Sequence, residues 1–192
     1  MINGHTQLFG IVGRPVTHSM SPAMHNAAFS ELGINGVYVP MQPASLEQGF
    51  YGLRSLGFSG VSVTVPFKVD IMAFLDHIDP VAQKIGAVNT LLFDRSNPDQ
   101  VISKGYNTDW LGANQALAEE VTLADSTVLV IGAGGAARAV GFGLLEAGAQ
   151  VVIANRTASK GQELAAQLGC PFEAATDIAT IQADALINTT SV

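Results

Sequence analysis

The chain has 192 residues, 48% of them hydrophobic and only 13% charged, about half the usual charged share. This excludes a disordered chain, and no uncharged apolar run reaches the ~18 residues of a membrane span. Nine Lys and Arg against sixteen Asp and Glu give a formal charge of −7, the wrong sign for general nucleic-acid binding, so anion binding has to rest on a local gathering of the few cations.

In chain order, Leu8–Val12 is a short apolar run that Gly13 and Pro15 end as a strand. Ser21 as N-cap with Pro22 at the first helical position opens a helix through Met24, Ala27, Ala28 and Leu32, closed by Gly33. Val37–Val39 reads as a second strand. Phe50, Leu53 and Leu56 mark a second helix, stopped by Gly57, and the β-branched run from Gly60 to Val65 is a third strand stopped by Pro66. This alternation predicts parallel α/β architecture. Val88–Phe93 and Val101–Tyr106 flank the turn-rich stretch 94–99 and predict a hairpin with a longish loop. Thr108 is placed to cap a helix through Leu111, Leu117 and Val121, and the domain join falls along it, at 108–125. Alternation then resumes with Thr127–Ile131, Gly135–Ala147, Val151–Ala154, Ser159–Leu168 and Ala185–Asn188. The expected layout is a substrate domain over 1–107, a linking helix over 108–125, and the first half of a dinucleotide-binding domain over 126–192.

The start, MINGHTQLFG, has neither the basic residues nor the cleavage site of a signal peptide. Cys170 is the single cysteine, so no internal disulfide and no thiolate cluster is possible. The four histidines lack H-E-x-x-H spacing, and no metal is expected. A soluble, cytoplasmic protein is expected, with no membrane or nucleic-acid partner.

The run Val128-Leu129-Val130-Ile131-Gly132-Ala133-Gly134-Gly135-Ala136-Ala137-Arg138 sets G-x-G-x-x-A between a buried strand and a helix. Gly132 permits the tight turn, Gly134 lets the backbone approach a pyrophosphate, and small Ala137 lets the helix pack close to the sheet. Gly135 and Ala136 open the helix, whose N-terminus attracts phosphate. NAD-binding units place an acid about 20 residues on, at the end of the next strand. Here that stretch is Asn155-Arg156-Thr157-Ala158-Ser159-Lys160, without an acid. Arg156 offers a planar fork for a 2′-phosphate and Lys160 adds charge, which favours NADP as cofactor. Arg138 is a further cation beside this turn.

Polar clusters sit where the first domain's strands end: Ser19-Met20-Ser21, Ser62 through Lys68, Gly86 through Thr90, and Gly105 through Asp109. Ligands of open α/β sheets bind beyond the carboxyl ends of strands. Each residue also has an ordinary reading: Ser21 and Thr108 as caps, Asn89 and Asn107 as turn formers, Lys68 as a solvated cation.

Taken together, the clusters resemble the shikimate dehydrogenase family. The motifs are G-R-P-V-T-H-S-M-S-P-A-M-H-N at 13–26, V-T-V-P-F-K at 63–68, G-A-V-N-T at 86–90, G-Y-N-T-D-W-L-G at 105–112, G-A-G-G-A-A-R-A at 132–139, N-R-T at 155–157 and N-T-T-S-V at 188–192. The resemblance implies reversible, NADP-dependent reduction of 3-dehydroshikimate to shikimate in aromatic amino acid biosynthesis. It implies an N-terminal α/β substrate domain with a mostly parallel sheet, then an incomplete Rossmann-type domain. Ser19 and Ser21 match hydroxyls that bind the substrate carboxylate, and Thr64, Asn89 and Asp109 match groups that hold the ring hydroxyls. Lys68 and Asp109 match the catalytic pair, either of which is suited to accept the hydroxyl proton. The family leaves a monomer or homodimer open. Other readings are a quinate/shikimate dehydrogenase preferring NAD, disfavoured by the missing acid, and a non-catalytic ligand sensor, disfavoured by the intact pair.

Two departures stand out. Ser62 replaces the Asn frequent in the family. Relatives also continue for about another domain-half beyond N-T-T-S-V, so a chain truncated at its C-terminus is expected, with the strand beginning near Thr127 as an unprotected sheet edge.

Overall fold

The computed structural model describes residues 2–97, 99–174, 176, 178 and 181–190, and its chain divides into two compact units, Met1–Asn107 and Thr108–Val192. Both are α/β. No helix among the described residues is long and apolar enough to cross a membrane.

The first unit runs β1 (Gln7–Val12), α1 (Ser21–Glu31), β2 (Gly36–Met41), α2 (Leu46–Ser55), β3 (Phe58–Val63), a 3-10 turn (Asp70–Phe74), β4 (His77–Ile78), α3 (Pro80–Ile85), β5 (Thr90–Asn97) and β6 (Gln100–Tyr106). The strands form one six-stranded sheet in the order β2-β1-β3-β5-β6-β4. β5 is antiparallel to both its neighbours, while the remaining pairs are parallel. One side of the sheet packs Val12, Val61, Val63, Leu91 and Phe93 on Phe50 and Leu53 of α2 and Ile71 of the 3-10 turn. The other side holds Ile11, Val16 and Tyr38 with Phe9 and Phe29. Alternation in β3 puts Val61 and Val63 into the first core and turns Ser62 to the opposite face.

Local chemistry explains the helices. Ser45 caps α2 by accepting from the Gln48 N–H, with Glu47 in the first turn and Arg54 in the last. Asp79 caps α3, accepting from Val81 at 2.9 Å, with Pro80 in the first turn and Gly86 ending it at φ 70°. The sequence reading passed over α3, the 3-10 turn and β4.

Three local expectations need correcting. Ser21 is the first residue of α1 and not its cap; Met20 holds the cap position, and the Ser19 Oγ accepts the Ser21 N–H at 3.3 Å. The apolar series on α1 does not face a core either: Met24 is 61% and Leu32 71% exposed. α1 is instead fastened to β2 by Asn26, which donates to the Tyr38 carbonyl and accepts the Tyr38 N–H, at 2.8 and 2.9 Å. Finally, the stretch expected as a long loop is mostly strand, since β5 runs to Asn97 and β6 starts at Gln100. Lys104 holds Asp94 at 2.7 Å, and Arg95 donates to the Arg54 and Phe58 carbonyls, which pins the extension. Pro98, within that stretch, lies outside the described residues.

The second unit runs α4 (Asp109–Ala118), β7 (Thr127–Ile131), α5 (Gly135–Glu146), β8 (Gln150–Asn155), α6 (Ala158–Leu168), β9 (Phe172–Ala174) and β10 (Ala185–Asn188). Its four-stranded sheet has the order β10-β7-β8-β9, all parallel. Taken from β9, this is the 3-2-1-4 portion of the Rossmann strand order. β7 is therefore central and not an edge: the chain crosses over after β9, and Ala185–Asn188 pairs with Val128–Ile131. Val128, Val130, Val151 and Ile153 pack with Ala137 and Leu144 of α5 and Leu164 of α6. Thr108 holds the N-cap position of α4, which stops at Ala118, short of Val121.

Candidate active site

In the first unit the candidate residues converge at one end of the sheet. β1, β3 and β6 end there, and antiparallel β5 begins there, with Ser62 opposite Thr90 and Thr90 opposite Tyr106. Backbone hydrogen bonds tie the loops together across this edge. The Thr64 N–H donates to Val12 and the Arg14 N–H to Val65, both at 2.9 Å. Val63 donates to the Asn89 carbonyl at 2.7 Å, Asn89 to Tyr106 at 3.0 Å, and Val88 to the Lys68 carbonyl at 2.8 Å. The buried Asn107 amide donates to the Ala87 carbonyl at 2.9 Å. Gly13 is required by close approach, since a Cβ there would stand 2.3 Å from Thr64 Cγ2.

On this frame Ser19, Ser21, Thr64 and Lys68 are half-buried, and Asn89 is only 9% exposed. The serines share the turn into α1, where the Ser19 N–H donates to Val16 at 3.1 Å. Ser62 accepts the Tyr38 hydroxyl at 2.8 Å. Burial pushes the Tyr38 phenol up, and that hydrogen bond works the other way.

The second unit presents a contiguous turn. Gly132 has φ 125° and is buried against Thr189, whose Oγ1 would lie 2.2 Å from a Cβ there. Thr189 is fixed by donating its N–H and Oγ1 to the Ile131 carbonyl, at 2.9 and 2.7 Å. Thus the N-T-T segment braces the glycine turn, while Ser191 and Val192 of that motif lie outside the described residues. Gly134 is the N-cap of α5, exposed, with no protein atom within 4 Å of a would-be Cβ. Gly135 and Ala136 follow in the first turn of α5, and Ala137 is fully buried. That open face before a helix N-terminus fits a pyrophosphate. At the end of β8, the Asn155 side chain donates to the Thr157 carbonyl at 2.8 Å, Thr157 is the N-cap of α6, and Arg156 and Lys160 are exposed. The positive, acid-free stretch suits a 2′-phosphate. Asp109 is the first residue of α4.

Residues 11–91 match the family model of the shikimate dehydrogenase substrate binding domain, and 114–192 that of shikimate / quinate 5-dehydrogenase. The NADP(+) shikimate dehydrogenase of Carboxydothermus hydrogenoformans is 48% identical over 167 residues, 85% of this chain and 58% of that protein. The crystal structure of shikimate dehydrogenase from Aquifex aeolicus superimposes with a TM-score of 0.92 at 39% identity, covering all of this chain and 71% of that one.

The chain belongs to the shikimate dehydrogenase family.

Another shikimate dehydrogenase, from Thermus thermophilus in complex with NADP(H) and shikimate, matches with a TM-score of 0.83 and 39% identity over 96% of this chain and 68% of that one. The chain thus spans between 58% and 71% of the length of these family members.

Within this family frame, one cation is reassigned. Arg138 does not turn toward the glycine turn: its guanidinium donates to Gln167 and reaches Glu163 at 3.5 Å, clamping α5 to α6. The reading also missed Thr90, whose hydroxyl donates to Asn89 Oδ1 at 2.8 Å, and the support that Thr189 gives to Gly132. Both residues stood inside the quoted motifs, but their contacts are made by folding and leave no periodic trace.

Proposed function

We propose that this chain carries the substrate and cofactor machinery of a cytoplasmic NADP-dependent shikimate dehydrogenase, interconverting 3-dehydroshikimate and shikimate. The observation that carries the reading is the convergence of Ser19, Ser21, Thr64, Lys68 and Asn89 where β1, β3 and β6 end and β5 begins. The two serine hydroxyls receive the substrate carboxylate. Thr64, Asn89 and Asp109 hold the ring hydroxyls. Lys68 and Asp109 manage the C3 hydroxyl proton: in oxidation one of them takes it as the carbinol becomes a ketone. In reduction the Lys68 ammonium polarises the ketone and returns the proton.

NADP, when bound, supplies the hydride acceptor. Gly132 shapes the turn and buried Ala137 lets the helix pack close, so that Gly134, Gly135 and Ala136 receive its pyrophosphate, and Asn155, Arg156, Thr157 and Lys160 its phosphorylated ribose. The absence of an acid after β8 favours NADP over NAD.

The test mixes the 192-residue chain with shikimate and NADP and follows reduced-nicotinamide absorbance, with NAD and quinate in parallel and calorimetry of shikimate binding. Shikimate binding with preferential NADP reduction is expected. A chain that neither binds shikimate nor reduces NADP would reject the reading.

A further inference from the structure

The second unit keeps a polar group that the proposed chemistry does not use. Asn114 lies in the middle of α4, and its side-chain amide donates to the backbone carbonyl of Gly143 on α5 at 2.6 Å. That carbonyl also accepts the Ala147 N–H of its own helix at 3.0 Å. The other end of the amide, Oδ1, is buried without a hydrogen-bond partner among the described residues. The two helices approach closely here: a Cβ on Gly143 would stand 2.8 Å from Asn114 Oδ1 and 2.9 Å from the Trp110 carbonyl oxygen. On the same side of α4, the Trp110 ring meets Phe142 edge-on, with centroids 5.8 Å apart at 86°.

Each of these choices is unfavourable by itself. Asparagine and glycine are poor residues for a helix interior, and a buried acceptor left unpaired costs free energy that an alanine at 114 would avoid. What an apolar contact cannot supply is direction, because hydrophobic burial is non-directional. Among the described residues none in α4 is fully buried, so this helix has little core to fix its rotation. A hydrogen bond to one carbonyl sets both the rotation and the slide of α4 on α5. Asp109 opens α4 next to Trp110, whose backbone rests on Gly143. Eight residues of α5, about 12 Å, separate Gly143 from Gly135 at the end that faces the pyrophosphate.

We propose that Asn114 is a positioning residue that, through its bond to Gly143, fixes where Asp109 stands relative to the cofactor-binding end of α5. The carboxylate that handles the proton and the turn that takes the pyrophosphate are then both referred to one helix. This inference rests on the roles given above to Asp109 and NADP, but the placing of Asp109 by α5 is measurable without either ligand.

Asn114→Ala removes the bond, and Gly143→Ala drives a side chain between the helices; Gln115→Ala, at an exposed position of α4, is the control. The side-chain carboxyl carbon resonance of Asp109, recorded without ligand and assigned with Asp109→Asn, should move in the first two variants and stay in place in the control. Calorimetry of shikimate should show about 3- to 10-fold weaker binding for Asn114→Ala, the scale of one misplaced hydrogen bond. In an Asp109→Ala background, Asn114→Ala should cause no further loss, whereas a merely structural role would lower affinity there by the same factor. If Gly143→Ala fails to fold, Asn114→Ala carries the test alone. An Asp109 resonance that stays in place in Asn114→Ala, or an equal loss in the Asp109→Ala background, overturns the proposal. If the unmutated chain binds no shikimate, the reading of its function falls, and the Asp109 resonance alone decides the role of Asn114.

Discussion

The two units build their candidate sites in opposite ways. The first gathers side chains from separated segments, around residues 19–21, 64–68 and 86–90, and holds them by backbone hydrogen bonds across the strand ends of one sheet. The second offers mostly backbone: a turn at 132–134, the start of α5 and a short stretch after β8. Side-chain sites are changed residue by residue, whereas a backbone site is changed only through the residues that shape or border its turn. Glycine marks both kinds of crowding, Gly13 against Thr64 and Gly132 against Thr189.

The largest effect that would sharpen this contrast is at Lys68. Replacing it with Ala should lower kcat by about 100- to 10,000-fold, as for a lost proton-transfer group, with a much smaller rise in KM. Equal losses in shikimate affinity and rate would instead assign Lys68 to binding alone. In the second unit, Gly132→Ala forces a side chain into φ 125° and into Thr189, and should destabilise by about 2–4 kcal/mol in denaturant melts. Gly134→Ala is its counterpart: its Cβ meets no protein atom, so stability should hold while NADP affinity falls. If both glycine variants fold equally well, the contrast between the crowded and the open glycine of this turn is lost.

Arg156→Ala should come next, weakening NADP relative to NAD by about 10- to 100-fold, the scale of a charge-assisted hydrogen bond. Unchanged selectivity in titrations with the two cofactors would take Arg156 out of the 2′-phosphate site.

The smallest effect belongs to a network away from the sheet edge that carries the site. Asp76 accepts from the Ser103 N–H and hydroxyl at 2.8 and 2.7 Å and pairs with Arg54 at 3.2 Å. Burial acts to raise its pKa, but those partners outweigh it and hold the carboxyl below its ordinary value. A lowered native pKa gives stability that is present above the unfolded value and lost as pH falls through the native one. Ser103→Ala should therefore cost about 1 kcal/mol at neutral pH, and its gap to the unmutated chain should narrow below about pH 4. Shikimate affinity should not change. A gap independent of pH would show that Asp76 is not the group concerned.

The same contrast governs what was legible in the sequence. The βα unit from Thr127 to Glu146 could be read directly because its strand, glycines and helix are contiguous. So could the cation-bearing stretch after β8. The elements missed were too short for periodicity, two residues in β4 and three in β9. α3 left a clear signal in Asp79-Pro80 and Gly86, but over only six residues. The placing of β7 at an edge failed because strand neighbours are set by crossovers, and β10 returns from far along the chain to pair with it. In the first unit, residue types suggested polar loop ends, but only the motifs, taken together, marked them as one site. Arg138 shows the limit of assigning charge by proximity in sequence, since its partners Glu163 and Gln167 lie on another helix.

The grip of Asn26 on Tyr38 has a consequence for the molecule outside its chemistry. β2 is the end strand of its sheet, the kind of border where a stray extended peptide can add itself. By bonding both the N–H and the carbonyl of Tyr38, one side chain imitates a single rung of a neighbouring strand. It occupies one rung of the border with a single amide group, so that an added strand would have to break both of its hydrogen bonds to pair there.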